Sequence, residues 1–357
     1  MVTGSQYYRP SDVVAAVCVP ASLFLFLNLL LLSPPPPSSI TTLQDATTNI
    51  QTQSPTTTTA TTTVRKIGPS INTTGGEGRR EDLLLFTPIL RCASTSLINL
   101  LGLLSKHNNF HMQKRPRRKA ELVHIPKVDL QREMVANISK ISTPSVVIES
   151  AAYINFTVYG KERPIRVSLV RDPVERAVSW YYHARAPYHL VERHAAFPDT
   201  ILPSRAFLKK DLESCLKSRS DTECRYIPGK EMLGHTVEFF CGHQDFCPIF
   251  GDMRALLRAK EVVEREWAVV GVLEEWNNTL HVLHHYIPRF FEGASQLYYE
   301  HLHHSKTKTN TNFYKPQVDP KAKEFLKTSF HVEYEFYEFV KQRLHRQYRA
   351  LNTANDL

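Results

Sequence analysis

Two short segments join a guanidinium to hydroxyls in a pattern suited to holding phosphate or sulfate. The first is Arg91-Cys92-Ala93-Ser94-Thr95-Ser96. It follows an apolar run, Leu83-Leu84-Leu85-Phe86, and precedes a helix-like stretch at residues 97–104. A turn from strand to helix points backbone N–H groups and the positive end of the helix dipole outward, which favours an anion. Arg91 adds charge, and Ser94, Thr95 and Ser96 add hydroxyls. The Gly-x4-Gly-Lys-Ser/Thr pattern of nucleoside triphosphate loops is missing. The plainer reading is a helix start capped by Ser94 or Thr95. The second segment runs from Arg171-Asp172-Pro173 to Ser179. Arg171 stands at the mouth of a strand, where it could grip a phosphate with two parallel hydrogen bonds. Ser179 follows two helical turns later. Alone, such a tripeptide is usually a helix cap, with Asp172 capping and Pro173 in the first turn.

The elements that position these residues alternate. Apolar runs at 83–86, 146–148, 165–170 and 267–272 read as strands. Pro88 ends the first ladder. Helical patterns follow the first, third and last runs, at 97–104, 173–182 and 278–287, and an aromatic-rich helix covers 334–348. The polar, basic stretch 106–118 reads as a loop. Strands alternating with helices predict an α/β fold, a central parallel sheet flanked by helices.

The chain has 357 residues, 42% of them hydrophobic, with a formal charge of +9 and a pI near 9.2. That balance favours an anionic partner: nucleic acid, anionic lipid or acidic polysaccharide. Topology narrows the choice. Residues 13–32 form an uncharged apolar run of the length a membrane helix needs, about 20 residues. The run exceeds a signal-peptide core, and Ser33 with four prolines after it makes a poor cleavage site. Arg9 is the one basic residue before the run, and none follows until Arg65, which puts the N-terminus in the cytosol. Residues 33–80 are rich in Ser, Thr and Pro and read as an extended stem. The expected organisation is a cytosolic tail at 1–12, an anchor at 13–32, a stem at 33–80 and a lumenal domain at 81–350. Sequons at Asn72, Asn137, Asn155 and Asn277 fit a lumenal domain. A lumenal location removes nucleic acid from the list of partners.

Of six cysteines, Cys215, Cys224, Cys241 and Cys247 fall in one window. An even cluster outside the cytosol reads as disulfides. Eight residues separate the first pair and five the second, which suits small loops and favours Cys215–Cys224 and Cys241–Cys247 over the other two pairings. Close ligand pairs for a metal are missing, and His243 reads as a surface residue. No metal is expected.

Several segments in one order carry a resemblance. They are RCASTS at 91–96, RDPVERAVSWYY at 171–182, FFCGHQDFC at 239–247, VVGVLEEW at 269–276, PRFFEGASQLY at 288–298 and EYEFYEFVKQ at 333–342. Over residues 83–348 the chain resembles the hexuronic-acid 2-O-sulfotransferases, a family that includes heparan sulfate and uronyl 2-O-sulfotransferases and the Pipe proteins. The resemblance implies a P-loop-like sulfotransferase fold in the Golgi lumen. It implies 3′-phosphoadenosine 5′-phosphosulfate as sulfuryl donor and a glycosaminoglycan as acceptor. It assigns Arg91, Cys92, Ala93, Ser94, Thr95 and Ser96 to the 5′-phosphosulfate, and Arg171 and Ser179 to the 3′-phosphate. A late donor-side loop maps near Tyr298 and around Ser305, Lys306 and Thr307. The family's disulfides match the favoured pairings, and its members are often multimeric, so a homo-oligomer is in keeping.

Two positions depart from the family pattern. Arg91 stands where lysine is usual, and the two shapes differ. The family's His-x-His segment, which carries its base, falls on Ile148 and Ser150. A serine hydroxyl of ordinary pKa cannot take a proton as imidazole can. Glu149, between them, is a candidate base if burial raises its pKa, although strand alternation points it away from its neighbours. His124 and His183 are further candidates. The alternative function is a catalytically impaired, glycosaminoglycan-binding relative. Lys114, Arg115, Arg117, Arg118, Arg185 and Arg193 are candidates for lining a polyanion groove.

Overall fold

A computed structural model describes residues 79–114, 123–199, 201–218, 220–303 and 315–355. The expected tail, anchor and most of the stem lie outside them, as does Asn72. Among the described residues no helix is long and apolar enough to cross a membrane.

Five parallel strands form one sheet: β1 Arg79–Thr87, β2 His111–Lys114, β3 Ser145–Ile148, β4 Arg163–Val170 and β5 Trp267–Val272, in the order β2-β3-β1-β4-β5. The first strand starts inside the expected stem. The four apolar runs are strands, and the parallel α/β architecture is as the alternation required. β2 corrects the reading of 106–118 as a loop. It is a short, largely solvent-facing edge strand (sequence HMQK) held by its pairing with β3. A polar edge strand lacks the apolar run that marks a buried one.

Helices cover both faces. α1 is Ser94–His107, α2 Val128–Ser139, α3 Pro173–His183, α4 Pro187–Ala196, α5 Thr236–Cys241, α6 Met253–Glu266, α7 Trp276–Tyr286 and α8 His331–Asn355. The pleat divides β1 between two cores. Leu84 and Phe86 pack with α1, α6, α7 and α8, while Leu83 and Leu85 pack with Met134, Val135 and Ile138 of α2. A third cluster joins Val174, Val178 and Tyr181 of α3 to Phe250 and Phe330, beside Cys215–Cys224. Both favoured disulfides are present, Cys215–Cys224 and Cys241–Cys247. α7 sits so close to β5 that a Cβ at Gly271 would lie 2.3 Å from Thr279 Cγ2.

One buried polar network ties α8 to α5. Glu333, 2% exposed, accepts hydrogen bonds from the backbone N–H of Thr236 (2.9 Å) and Val237 (3.2 Å) and pairs with His235 Nδ1 at 2.8 Å. Burial alone would raise its carboxyl pKa. The His235 hydrogen bond and the nearby Arg176 charge outweigh burial and hold it below the usual carboxylate range. A depressed folded pKa gives stability that is present above the unfolded value, about 4.3, and is lost as pH falls through the folded value. Breaking a buried pair of this kind typically costs about 3–5 kcal/mol. Glu333→Ala is therefore expected to lower unfolding stability by about that amount at neutral pH, with the deficit shrinking in acid. Urea unfolding at two pH values checks both parts.

Candidate functional site

β1 and β4 are neighbours, paired from Leu84↔Ile165 to Thr87↔Ser168. The turn after each therefore opens at the same C-terminal edge. This edge is also where the strand order reverses, since β1 leads to β2 and β3 on one side and to β4 on the other. Crevices of this kind are where α/β sheets take ligands.

The turn after β1 departs from the expected cap. The N-cap of α1 is Ala93 (φ 57°), and no side chain caps it. Ser94 Oγ instead donates to the carbonyl of Ile89 at 2.8 Å. Arg91 (φ 67°) is also left-handed. Two non-glycine residues in this region store strain, on the order of 1–3 kcal/mol each. Alternating right- and left-handed residues gather successive N–H groups into an anion-binding concavity. The first-turn N–H groups of α1 lack helical partners and open into it. The turn is braced from outside. Cys92 N–H donates to Ile89 O (3.3 Å), Arg176 Nε donates to Leu90 O (3.0 Å), and Arg171 Nη1 donates to Arg91 O (3.4 Å). Arg176 was not singled out by its sequence context.

The turn after β4 folds as its sequence reads. Asp172 caps α3 by accepting from Glu175 N–H at 2.8 Å, with Pro173 in the first turn. Ser179, 5% exposed, accepts a hydrogen bond from Arg91 Nε at 2.9 Å. The two segments recognised separately in the sequence thus touch.

Positive charge collects here. Glu175 lies 3.7 Å from Arg171 Nη2, 3.8 Å from Lys315 Nζ and 2.6 Å from Lys323 Nζ. Burial would raise its carboxyl pKa, but those three cations pull it below the usual range. Lys315 is lowered by burial and by repulsion from Arg171, Lys323 and Arg91. Arg91 is likewise lowered by burial, with Arg171 adding to the effect. Three cations around one carboxylate, with Arg91 close to two of them, favour a multiply charged anion. Lys315 and Lys323 were not anticipated, because no local pattern sets them apart from other lysines.

The remaining candidates separate. Thr95 is exposed and Ser96 buried. Tyr298 is a core residue, 1% exposed, with its ring 5.2 Å from Trp276. Ser305, Lys306 and Thr307 lie outside the described residues, as do Arg115, Arg117 and Arg118. Ile148 ends β3 and is buried. Glu149 continues beside β1, its N–H donating to Phe86 O at 3.1 Å, and its Oε1 accepts from the N–H of Ser150 at 3.1 Å. Ser150 is exposed. His124 Nδ1 lies 3.8 Å from the fully buried Glu238, whose carboxyl burial raises to about 7. His243 is not the plain surface residue expected: Nδ1 accepts from Ile125 N–H at 2.9 Å. Among the described residues no group is placed to hold a metal. Arg185 corrects the groove assignment. It is buried, stacked 3.5 Å over the Tyr181 ring and paired with Glu223 at 3.2 Å. Arg193 is exposed. Among the sequons, Asn137 and Asn277 are exposed, and Asn155 Oδ1 accepts from Thr157 N–H and Oγ1.

Residues 79–340 match the sulfotransferase family. The chain belongs to that family. It is 34% identical over 282 residues to the uronyl 2-sulfotransferase homolog pip of Drosophila melanogaster, covering 76% of this chain and 54% of that protein. It is 26% identical to human uronyl 2-sulfotransferase, covering 73% and 62%. It is 30% identical to human heparan sulfate 2-O-sulfotransferase 1, covering 77% and 74%. The chain thus spans little more than half the length of the pip relative. The family implies a phosphosulfate co-substrate, in keeping with a turn that lacks the lysine-bearing triphosphate loop.

Within that turn, Cys92 donates its N–H to Ile89 O. Its side chain is fully buried, and burial raises the thiol to about 11. Only about one thiol in several thousand is ionised at pH 7.5. Iodoacetamide should therefore leave Cys92 unmodified in the native protein and label it after denaturation. Peptide mass spectrometry reads the difference, and rapid native labelling would contradict the buried turn.

Proposed function

We propose that the protein transfers a sulfuryl group from 3′-phosphoadenosine 5′-phosphosulfate to the 2-hydroxyl of uronic acid residues in a glycosaminoglycan. The observation that carries the reading is the contact of Arg91 with Ser179 beside Arg171, in a cluster of four cations. The donor supplies a sulfuryl group activated by a phosphate leaving group. First-turn N–H groups of Ala93, Ser94, Thr95 and Ser96, with Arg91, hold its 5′-phosphosulfate. Arg171 and Ser179 hold its 3′-phosphate, which anchors the nucleotide at both ends and aligns the reacting bond. Arg91 stabilises the charge that grows on the leaving phosphate, and such fixed charge acts most strongly where water is excluded.

The proposal includes residence as a single-pass Golgi membrane protein with the domain in the lumen, supported by the uncharged run at 13–32 and the Ser/Thr/Pro-rich stretch after it. It also includes a basic surface that retains polyanions, and the formal charge of +9 supports that.

Two measurements test the reading. Losing a charge-assisted contact costs about 1.5–3 kcal/mol, or roughly 10- to 150-fold in affinity. Calorimetry on Arg171→Ala should show that loss for adenosine 3′,5′-bisphosphate. Labelled sulfate should pass from the donor to desulfated heparin or dermatan. A folded chain that neither binds the bisphosphate nor transfers sulfate refutes the reading. Protease treatment of intact microsomes should spare the domain, and its digestion would refute the topology.

A further inference from the structure

Moving a sulfuryl group onto a sugar hydroxyl requires a proton acceptor within hydrogen-bond reach of that hydroxyl. The end of β3 does not present one plainly. Ile148 is apolar, Ser150 is a hydroxyl, and Glu149 turns an oxygen onto the backbone N–H of Ser150. On α3 stands an imidazole that the transfer machinery described above does not use. His183 stands at the end of α3, four residues after Ser179. Residues four apart share a helix face, with Cβ atoms about 6 Å apart. Ser179 holds Arg91 at 2.9 Å, so His183 lies one turn from the serine that touches Arg91, the group assigned to the sulfuryl-bearing phosphate. Its electrostatics agree with that placement. Burial, with the charges of Arg91 and His189 close by, pushes the imidazole down to about 4.

We propose that His183, oriented by Tyr188, is the proton acceptor of this sulfotransferase. The inference rests on the transferase reading. His183 Nδ1 and the Tyr188 hydroxyl are 3.0 Å apart. With Nδ1–H donating to that oxygen, Nε2 carries the lone pair, and among the described residues Nε2 has no hydrogen-bond partner. The His189 ring packs against His183 with centroids 4.2 Å apart, and the Trp180 ring at 5.9 Å. These rings border a cleft of about 240 Å³ lined by Trp180, His189, Arg193 and His194 among others. An aromatic face with the Arg193 guanidinium beside it suits an anionic sugar.

The step balances. Nε2 takes the proton of the acceptor hydroxyl as its oxygen bonds to sulfur. The bond from sulfur to the 5′-phosphate oxygen breaks, and its electron pair leaves with adenosine 3′,5′-bisphosphate. The imidazolium then releases its proton to water. The neutral imidazole is the form needed at physiological pH, and the donor's negative charge, offsetting Arg91, raises its basicity in the loaded site.

The test uses the full chain in detergent, labelled donor and desulfated heparin or dermatan. His183→Ala and His183→Gln should each lower kcat at least a hundredfold, while adenosine 3′,5′-bisphosphate affinity stays within about twofold. Added imidazole should restore part of the rate to His183→Ala, which a merely structural role would not allow. Tyr188→Phe should lower kcat and leave KM unchanged. Transfer within threefold of wild type in both His183 variants overturns the proposal, as does loss of nucleotide binding in both. Loss confined to Glu149→Gln or to His124→Ala moves the proton acceptor there and overturns it too. A wild-type chain that binds the nucleotide but transfers to neither polymer instead defeats the transferase reading itself, and this assignment with it.

Discussion

Everything at the site depends on β1 and β4 lying side by side and parallel. Parallel neighbours end at the same edge, so the turns that follow them must share space. Their register is set by burial on both faces, since a one-residue slip would move Leu84 and Phe86 into the other core. Arg91 and Ser179 are 88 residues apart in sequence, and only this pairing brings them together. The strained turn can exist because the sheet is rigid beneath it. Arg176 and Arg171 brace its carbonyls, and Ile89 accepts both the Cys92 N–H and the Ser94 hydroxyl. Strain of this kind persists where the surroundings over-determine the backbone.

Charge follows from the same geometry. Arg91 and Arg171 come from the two turns, whereas Lys315 and Lys323 come from the chain just before α8. Like charges so close repel, and burial weakens the screening water provides. Glu175 offsets part of that repulsion through contacts with Lys323, Lys315 and Arg171. A bisphosphate nucleotide brings more negative charge than one carboxylate. Binding therefore relieves repulsion as well as forming hydrogen bonds, so affinity should depend on ionic strength less steeply than at an open surface site.

Much of this was legible in the sequence. The strands show as apolar runs because both faces are covered, and Asp172-Pro173 caps α3 as such a pair should. The turns after β1 and β4 stood out as candidate anion sites because hydroxyls, arginine and helix starts coincide there. What the sequence hid was set by tertiary contact. β2 carries no apolar run because it is an exposed edge. Ser94 looks like a cap, but its hydroxyl finds Ile89 O, and Ala93 takes the cap position instead. Arg185 looks like a surface cation, yet Tyr181 and Glu223 hold it in the interior. Lys315 and Lys323 gain meaning only from Glu175. His183 was one candidate base among several until its helix face placed it beside Ser179.

Arginine at position 91 fits this arrangement in a way that lysine would not. A lysine has one nitrogen, which must divide its hydrogen bonds between Ser179 and an anion. Arg91 spends Nε on Ser179 and keeps Nη1 and Nη2, whose planar fork matches two oxygens of a phosphate or sulfate. It can hold the serine and the donor together. Guanidinium does not give up its proton in a protein, so in the proposed transfer Arg91 would stabilise the leaving phosphate by charge and hydrogen bonds and not by proton transfer. The proton taken from the acceptor hydroxyl must then go to a separate group, which is why the position of an imidazole on the neighbouring helix face matters to the chemistry.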